Sequence, residues 1–196
     1  MTVTTASEKI KTAFQRTVKA ISLRPSLGHG TGTSKARIRS GLTCEIEEGP
    51  WRLTADMPGQ VGGDGVGPTP GVYGRAALGS CLAIGYMMYA AKLDVLISQL
   101  EVEVQADYDD GALFGVTAVP PGYLEVRYTV TVESDASEAD ILRVLNEGDA
   151  HSPYLDVFAR SQKCRRDVKI LPSSKQASLL PSLDFPKANP HLRQSA

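Results

Sequence analysis

A chain of 196 residues with 42% hydrophobic content can bury one sizeable core, with room for appended ends but not for two full domains. Its 21 basic and 22 acidic side chains leave a net charge of -1, which excludes the field that draws a protein to nucleic acid or anionic lipid. Charges at Glu8, Lys9, Lys11, Arg16 and Lys19 break up any secretory signal, and three scattered cysteines, Cys44, Cys81 and Cys164, point to a reducing cytoplasm without a disulfide scaffold.

From Ser7 to Ile21, Ile10, Phe14, Val18 and Ile21 recur at helical spacing and predict an amphipathic helix. Pro25 and the run Gly28 to Thr33 break it as a linker. Between Lys35 and Glu47 the period becomes two, with Ala36, Ile38, Leu42, Cys44 and Ile46 on one side. This is a strand or a hairpin bent at Gly41, and a core role is expected for Cys44. Trp51 to Met57 alternate in the same way and lead into a Gly- and Pro-rich loop, Pro58 to Gly71, that is flexible or functional. Val72 to Leu93 then form a helix so apolar that it should be wrapped on every side, by this chain or by a second subunit. Its uncharged stretch, Ala76 to Ala91, falls short of the ~20 residues that span a bilayer, so no membrane is involved.

Two half-buried strands follow, Leu100 to Asp107 and Leu124 to Glu133, joined by a loop in which Asp109, Asp110 and Gly111 read as a turn. A helix capped by Ser134 or Asp135 should end at Gly148. Ser152-Pro153 opens another through about Arg160, and Val168 to Leu171 is a candidate last strand. The tail from Pro172 has no sustained period. The element order is that of an α+β chain.

The segment Thr69-Pro70-Gly71-Val72-Tyr73-Gly74-Arg75-Ala76-Ala77-Leu78-Gly79-Ser80-Cys81 resembles the pattern of the OsmC/Ohr family (osmotically inducible protein C and organic hydroperoxide resistance), where proline precedes a small-residue helix carrying a reactive cysteine. The two strands, the following helix and His151-Ser152-Pro153-Tyr154 stand in that family's order. The resemblance divides the chain into an N-terminal helix and linker (1–33), an OsmC-like domain (34–171) and an extended C-terminal tail (172–196). It implies an intertwined homodimer, with antiparallel sheets wrapped around long buried central helices and sites lined by both chains. It also implies thiol-dependent reduction of organic hydroperoxides, supported by a dithiol reductant.

On that resemblance Cys81 is the attacking thiol. The family glutamate falls at Gly71 and the resolving cysteine at Ser152, which cannot form a disulfide. Of Arg37, Arg39 and Arg52, Arg39 is the first choice as the activating arginine. Cys164, beside Lys163, Arg165 and Arg166, is the candidate displaced resolving thiol. A thiol of ordinary pKa ~8.5 buried among Leu78, Leu82 and Ile84 without donors or cations would be an inert hydrophobe instead. His29, His151 and His191 lack metal-ligand spacing, so neither a metal nor a cofactor is expected. Ser152 is placed at the pocket, and His151 beside it either lines the same pocket or is a solvated loop histidine. The alternative to an oxidative-stress enzyme is a non-catalytic homodimer that binds an apolar small molecule in a cavity lined by Tyr73, Tyr86, Met87 and Met88.

Overall fold

The computed structural model describes residues 3–172, in two units, Met1–Ser161 and Gln162–Ala196. Among the described residues, all the helices and strands lie in the first unit. Helix α1 (Val3–Leu23) and a short 3-10 turn (Pro25–Gly28) lead to a three-stranded antiparallel sheet of β1 (Lys35–Ile38), β2 (Cys44–Glu48) and β3 (Trp51–Ala55). Then come α2 (Pro70–Lys92), β4 (Gln99–Asp107), a one-turn α3 (Asp110–Leu113), β5 (Glu125–Glu133), α4 (Glu138–Ala150) and α5 (Pro153–Ala159). The α+β reading holds, and among the described residues no helix is long and apolar enough to cross a membrane.

The core follows from two periodicities meeting. On α2, Leu78, Leu82 and Tyr86 recur every four residues and are essentially without solvent contact. They lie on the inner face of the β4–β5 pair, where Leu100, Val102 and Val104 alternate with charged neighbours opposite Val132, Val130 and Tyr128. Leu145 of α4 and Leu155 and Phe158 of α5 close the same cluster. A second cluster, Ala90, Val95, Ile97 and Val144, seals the far end of α2. There Asp94 turns the chain with φ of 58°, held by Lys11 of α1.

The hairpin reading of residues 35–47 is observed, with Gly41 at φ of 60° in its turn. Its apolar face is not a core, however. Ile38, Leu42, Trp51 and Leu53 are all exposed, and Cys44 is half-buried rather than enclosed. Likewise α2 is covered on one side only, for Val72, Ile84 and Met88 stay exposed on the other. A periodic pattern reports which residues need cover, and one chain does not supply all of it.

The loop after β3 is pinned rather than loose. Asp56, 2% exposed, accepts hydrogen bonds from Met57 N, Asp64 N, Val66 N and Thr43 Oγ1. Burial pushes its carboxyl up, but the four donors together outweigh burial and hold it below the usual carboxylate range. A side chain at Gly63 would strike the Met57 carbonyl at 1.8 Å, so the loop closes on its own backbone.

Three expected boundaries move. Helix α4 is capped by Ser137, whose Oγ accepts from Asp140 N, and not by Ser134 or Asp135; the Ser134 hydroxyl accepts from Ala136 N and donates to the Leu96 carbonyl at 2.6 Å, closing the turn that precedes the helix. The helix runs past Gly148 to Ala150, since that glycine serves packing rather than termination. Residues 168–171 form no strand. They are exposed and unpaired with any sheet, and the tail beyond residue 172 lies outside the described residues.

Candidate active site

Cys81 sits one position off the buried Leu78–Leu82–Tyr86 stripe, on the flank of α2 that faces the turn between α4 and α5. That turn lays three residues along the helix. Gly148 packs on the Tyr86 ring, His151 stacks on Tyr89 at 5.2 Å, and Ser152 meets Cys81. The Cys81 sulfur is half-buried and lies 3.6 Å from Ser152 Oγ, its one hydrogen-bond partner among the described residues.

Ser152 is 6% exposed and caps α5, its Oγ accepting from Leu155 N at 3.3 Å. With one lone pair given to that amide, the hydroxyl keeps its hydrogen and a second lone pair, and across this gap either the hydroxyl or a neutral thiol can be the donor. Once the thiol ionises it has no proton to give, so only the serine can donate across this gap. Towards an ionised sulfur the Ser152 hydroxyl is thus an oriented donor.

The turn is secured from below. Asp149 accepts from Tyr86 Oη at 2.5 Å and from Tyr128 Oη at 3.1 Å, while its own carbonyl accepts from Ser152 N at 3.2 Å. Burial first, then the Asp149 carboxylate, pushes the Tyr86 phenol far above its usual range, and the same causes raise Tyr128. Both phenols are therefore fixed donors at neutral pH. Tyr128 and Asp149 went unnoticed in the sequence, and Tyr86 was singled out for its apolar ring alone. The signal was a phenol inside an apolar stripe, which needs a buried partner.

The other expected residues are dispersed. Arg39 lies on the exposed turn of the β1–β2 hairpin, 3.4 Å from Glu45. Cys164 is exposed and belongs to the second unit. His151 Nδ1 is 2.8 Å from the Glu147 carbonyl, directed back into its own helix end. Tyr73 donates to Thr54 O at 2.6 Å, Met87 packs on the Ala90–Val144 cluster, Met88 lines an open apolar groove with Ile10 and Phe14 of α1, and Tyr86 is enclosed. These four do not share one cavity within the described chain. At the start of α2, Tyr123 Oη donates to Gly71 O at 3.0 Å, and Arg75 reaches the space a side chain at 71 would fill, at 3.4 Å.

Residues 62–165 match the family model described as OsmC-like protein. The fold is similar to that of an OsmC-like protein of Mycoplasma pneumoniae, at 15% identity and a TM-score of 0.58, over 67% of this chain and 89% of that one. It is similar to an OsmC-like protein of Vibrio cholerae, at 11% identity and a TM-score of 0.52, over 65% and 93%. An organic hydroperoxide resistance protein, OsmC, of Legionella pneumophila shares 15% identity and a TM-score of 0.50, over 66% and 89%. At such identities the likeness is one of fold. No curated protein sequence matches the chain.

Proposed function

Because the chain belongs to the OsmC-like family, we propose that it reduces organic hydroperoxides, with Cys81 as the attacking thiol and a homodimer as the working unit. The observation that carries this reading is the half-buried Cys81 sulfur 3.6 Å from the enclosed Ser152 hydroxyl. A cysteine serving only as a small hydrophobe has no use for an oriented donor.

The thiolate attacks the terminal peroxide oxygen, the O–O bond breaks, and the alkoxide leaves as the alcohol after taking a proton. Cys81 is left as a sulfenic acid. A thiol condenses with it, releasing water and forming a disulfide, and the second thiol of a dithiol reductant then returns Cys81 to its starting state. Ser152 stands beside the sulfur but cannot take the resolving part, so that thiol comes from the reductant or from Cys164. The uncovered apolar faces of α2 and of the β1–β3 sheet support the homodimer. In it, Arg39 on the hairpin turn is the proposed cation for the partner's Cys81.

The test is to treat the folded protein with cumene hydroperoxide in the presence of a 1,3-diketone that traps sulfenic acids, and to map the adduct by peptide mass spectrometry. The adduct is expected on Cys81 and absent from the Cys81→Ser variant. An unmodified Cys81 in a protein whose circular dichroism is intact would remove the peroxidase reading.

A further inference from the structure

The geometry points to Asp149 as a positioning residue: gripped by the phenols of Tyr86 and Tyr128, it holds the α4–α5 turn so that the Ser152 hydroxyl stays on the Cys81 sulfur. This deepens the peroxidase reading and rests on Cys81 being the reacting thiol.

The argument begins with an expense. Asp149 is a partly buried carboxylate with no cation paired to it among the described residues, an arrangement that packing alone does not need. Both oxygens are instead taken by phenols from two different elements, Tyr86 on α2 and Tyr128 on β5. The backbone next to it has no freedom to drift, because a Cβ at Gly148 would lie 2.4 Å from the Tyr86 ring.

From Asp149 the constraint passes directly to the site. Its carbonyl accepts from Ser152 N, Ser152 Oγ accepts from Leu155 N, and the hydroxyl faces Cys81. The chain of contacts Tyr86, Asp149, Ser152, Cys81 therefore starts and ends on one helix, with Tyr86 and Cys81 five positions apart. A closed ring of this kind sets the position of its least anchored member, the hydroxyl, from both sides. With the carboxylate lost, the turn keeps its backbone bonds but not the two ties that fix its height along α2.

The experiment measures iodoacetamide alkylation of Cys81, read peptide by peptide, for wild type, Asp149→Ala, Asp149→Asn, Ser152→Ala and the Asp149→Ala/Ser152→Ala double variant. One hydrogen bond to the thiolate corresponds to a fall on the order of two- to tenfold near neutral pH. Ser152→Ala and Asp149→Ala are each expected to show such a fall, and it should vanish at alkaline pH, where the thiol is ionised regardless. Because Asp149 acts through Ser152, the double variant should be no slower than Ser152→Ala alone. Asp149→Asn, which still offers an acceptor oxygen, should recover most of the rate. Additive effects in the double variant, or a wild-type rate in Asp149→Ala with native circular dichroism, would overturn the assignment. Alkylation needs no peroxide, so the pattern can hold while the hydroperoxide test fails, or the reverse.

Discussion

Replacing Gly148 by alanine should destabilise the protein, against the ordinary preference of helices for alanine. The new methyl carbon would stand 2.4 Å from Tyr86 Cδ1 and 2.9 Å from Cε1, where carbon atoms rest at about 3.5–4.0 Å. The ring has no room to retreat, being 1% exposed and bonded through its hydroxyl to Asp149. Overpacking of this kind costs about 1–3 kcal/mol, and a contact this short belongs in the upper half of that range. Alanine returns about 1 kcal/mol of helix propensity over glycine. The net loss is about 1–2 kcal/mol, or a fall in Tm of roughly 2–8 °C for a chain of this size. Thermal and urea unfolding followed by circular dichroism measure it. The same change in a Tyr86→Val background, where the ring is gone, should be neutral or stabilising. A Gly148→Ala protein as stable as the wild type with Tyr86 in place would refute the reading that this glycine is needed for packing on the Tyr86 ring.

Asp56 has a folded pKa below its unfolded one, so its contribution to stability is full above the ordinary carboxylate range and is lost as pH falls through the folded value. Asp56→Asn should therefore flatten the acid limb of a stability–pH curve, and an unchanged limb would count against the pinned loop. Tyr86 and Tyr128 are shifted the other way, so their contribution is complete below the usual phenol value of 10.0 and drains away as pH rises past it. Ultraviolet difference titration should find these phenols ionising only together with unfolding, and early ionisation of all seven tyrosines would contradict the Asp149 clamp. On the uncovered side of α2, Ile84→Glu should convert a dimer to a monomer in analytical ultracentrifugation without loss of helix content. A wild-type protein that sediments as a monomer at assay concentrations would dispose of the dimer.

What the sequence made legible was mostly what one repeat period decides. The alternation over β4 and β5 named both faces of that sheet correctly, and the serine–proline pair at 152–153 located the start of α5. The family pattern around Pro70 led to Cys81, and its resolving position led to Ser152, which the fold indeed brings to the sulfur. What stayed hidden depended on contacts distant in sequence. Gly148 looks like a helix stop because glycine usually is one, and only the Tyr86 ring 62 positions away shows that its missing side chain is wanted for packing. Ser134 looks like a cap because serine before a helix usually is one, whereas its hydroxyl closes a turn with Ala136 N, tied to the distant Leu96 carbonyl, and the helix starts one turn later on Ser137. Within one chain Tyr73, Tyr86, Met87 and Met88 are spread around α2, because successive helix positions differ by about 100° of rotation, and only a second subunit could bring them to a shared interface cavity.

The two sides of α2 explain why a single helix can be both core and site. One side is satisfied within the chain, with Leu78, Leu82 and Tyr86 filling the face of β4–β5. The other leaves Ile84 and Met88 exposed. Cys81 lies at the border between them, and there its sulfur meets a buried hydroxyl while keeping a path to solvent. A cysteine three positions earlier, at Leu78, would be sealed in hydrocarbon, and one three later, at Ile84, would have water and no fixed donor. The flank alone combines solvent access with a fixed hydroxyl at the sulfur, which is what the proposed reaction asks of Cys81, and on the proposed reading the phenol-held turn at Asp149 keeps that hydroxyl in place.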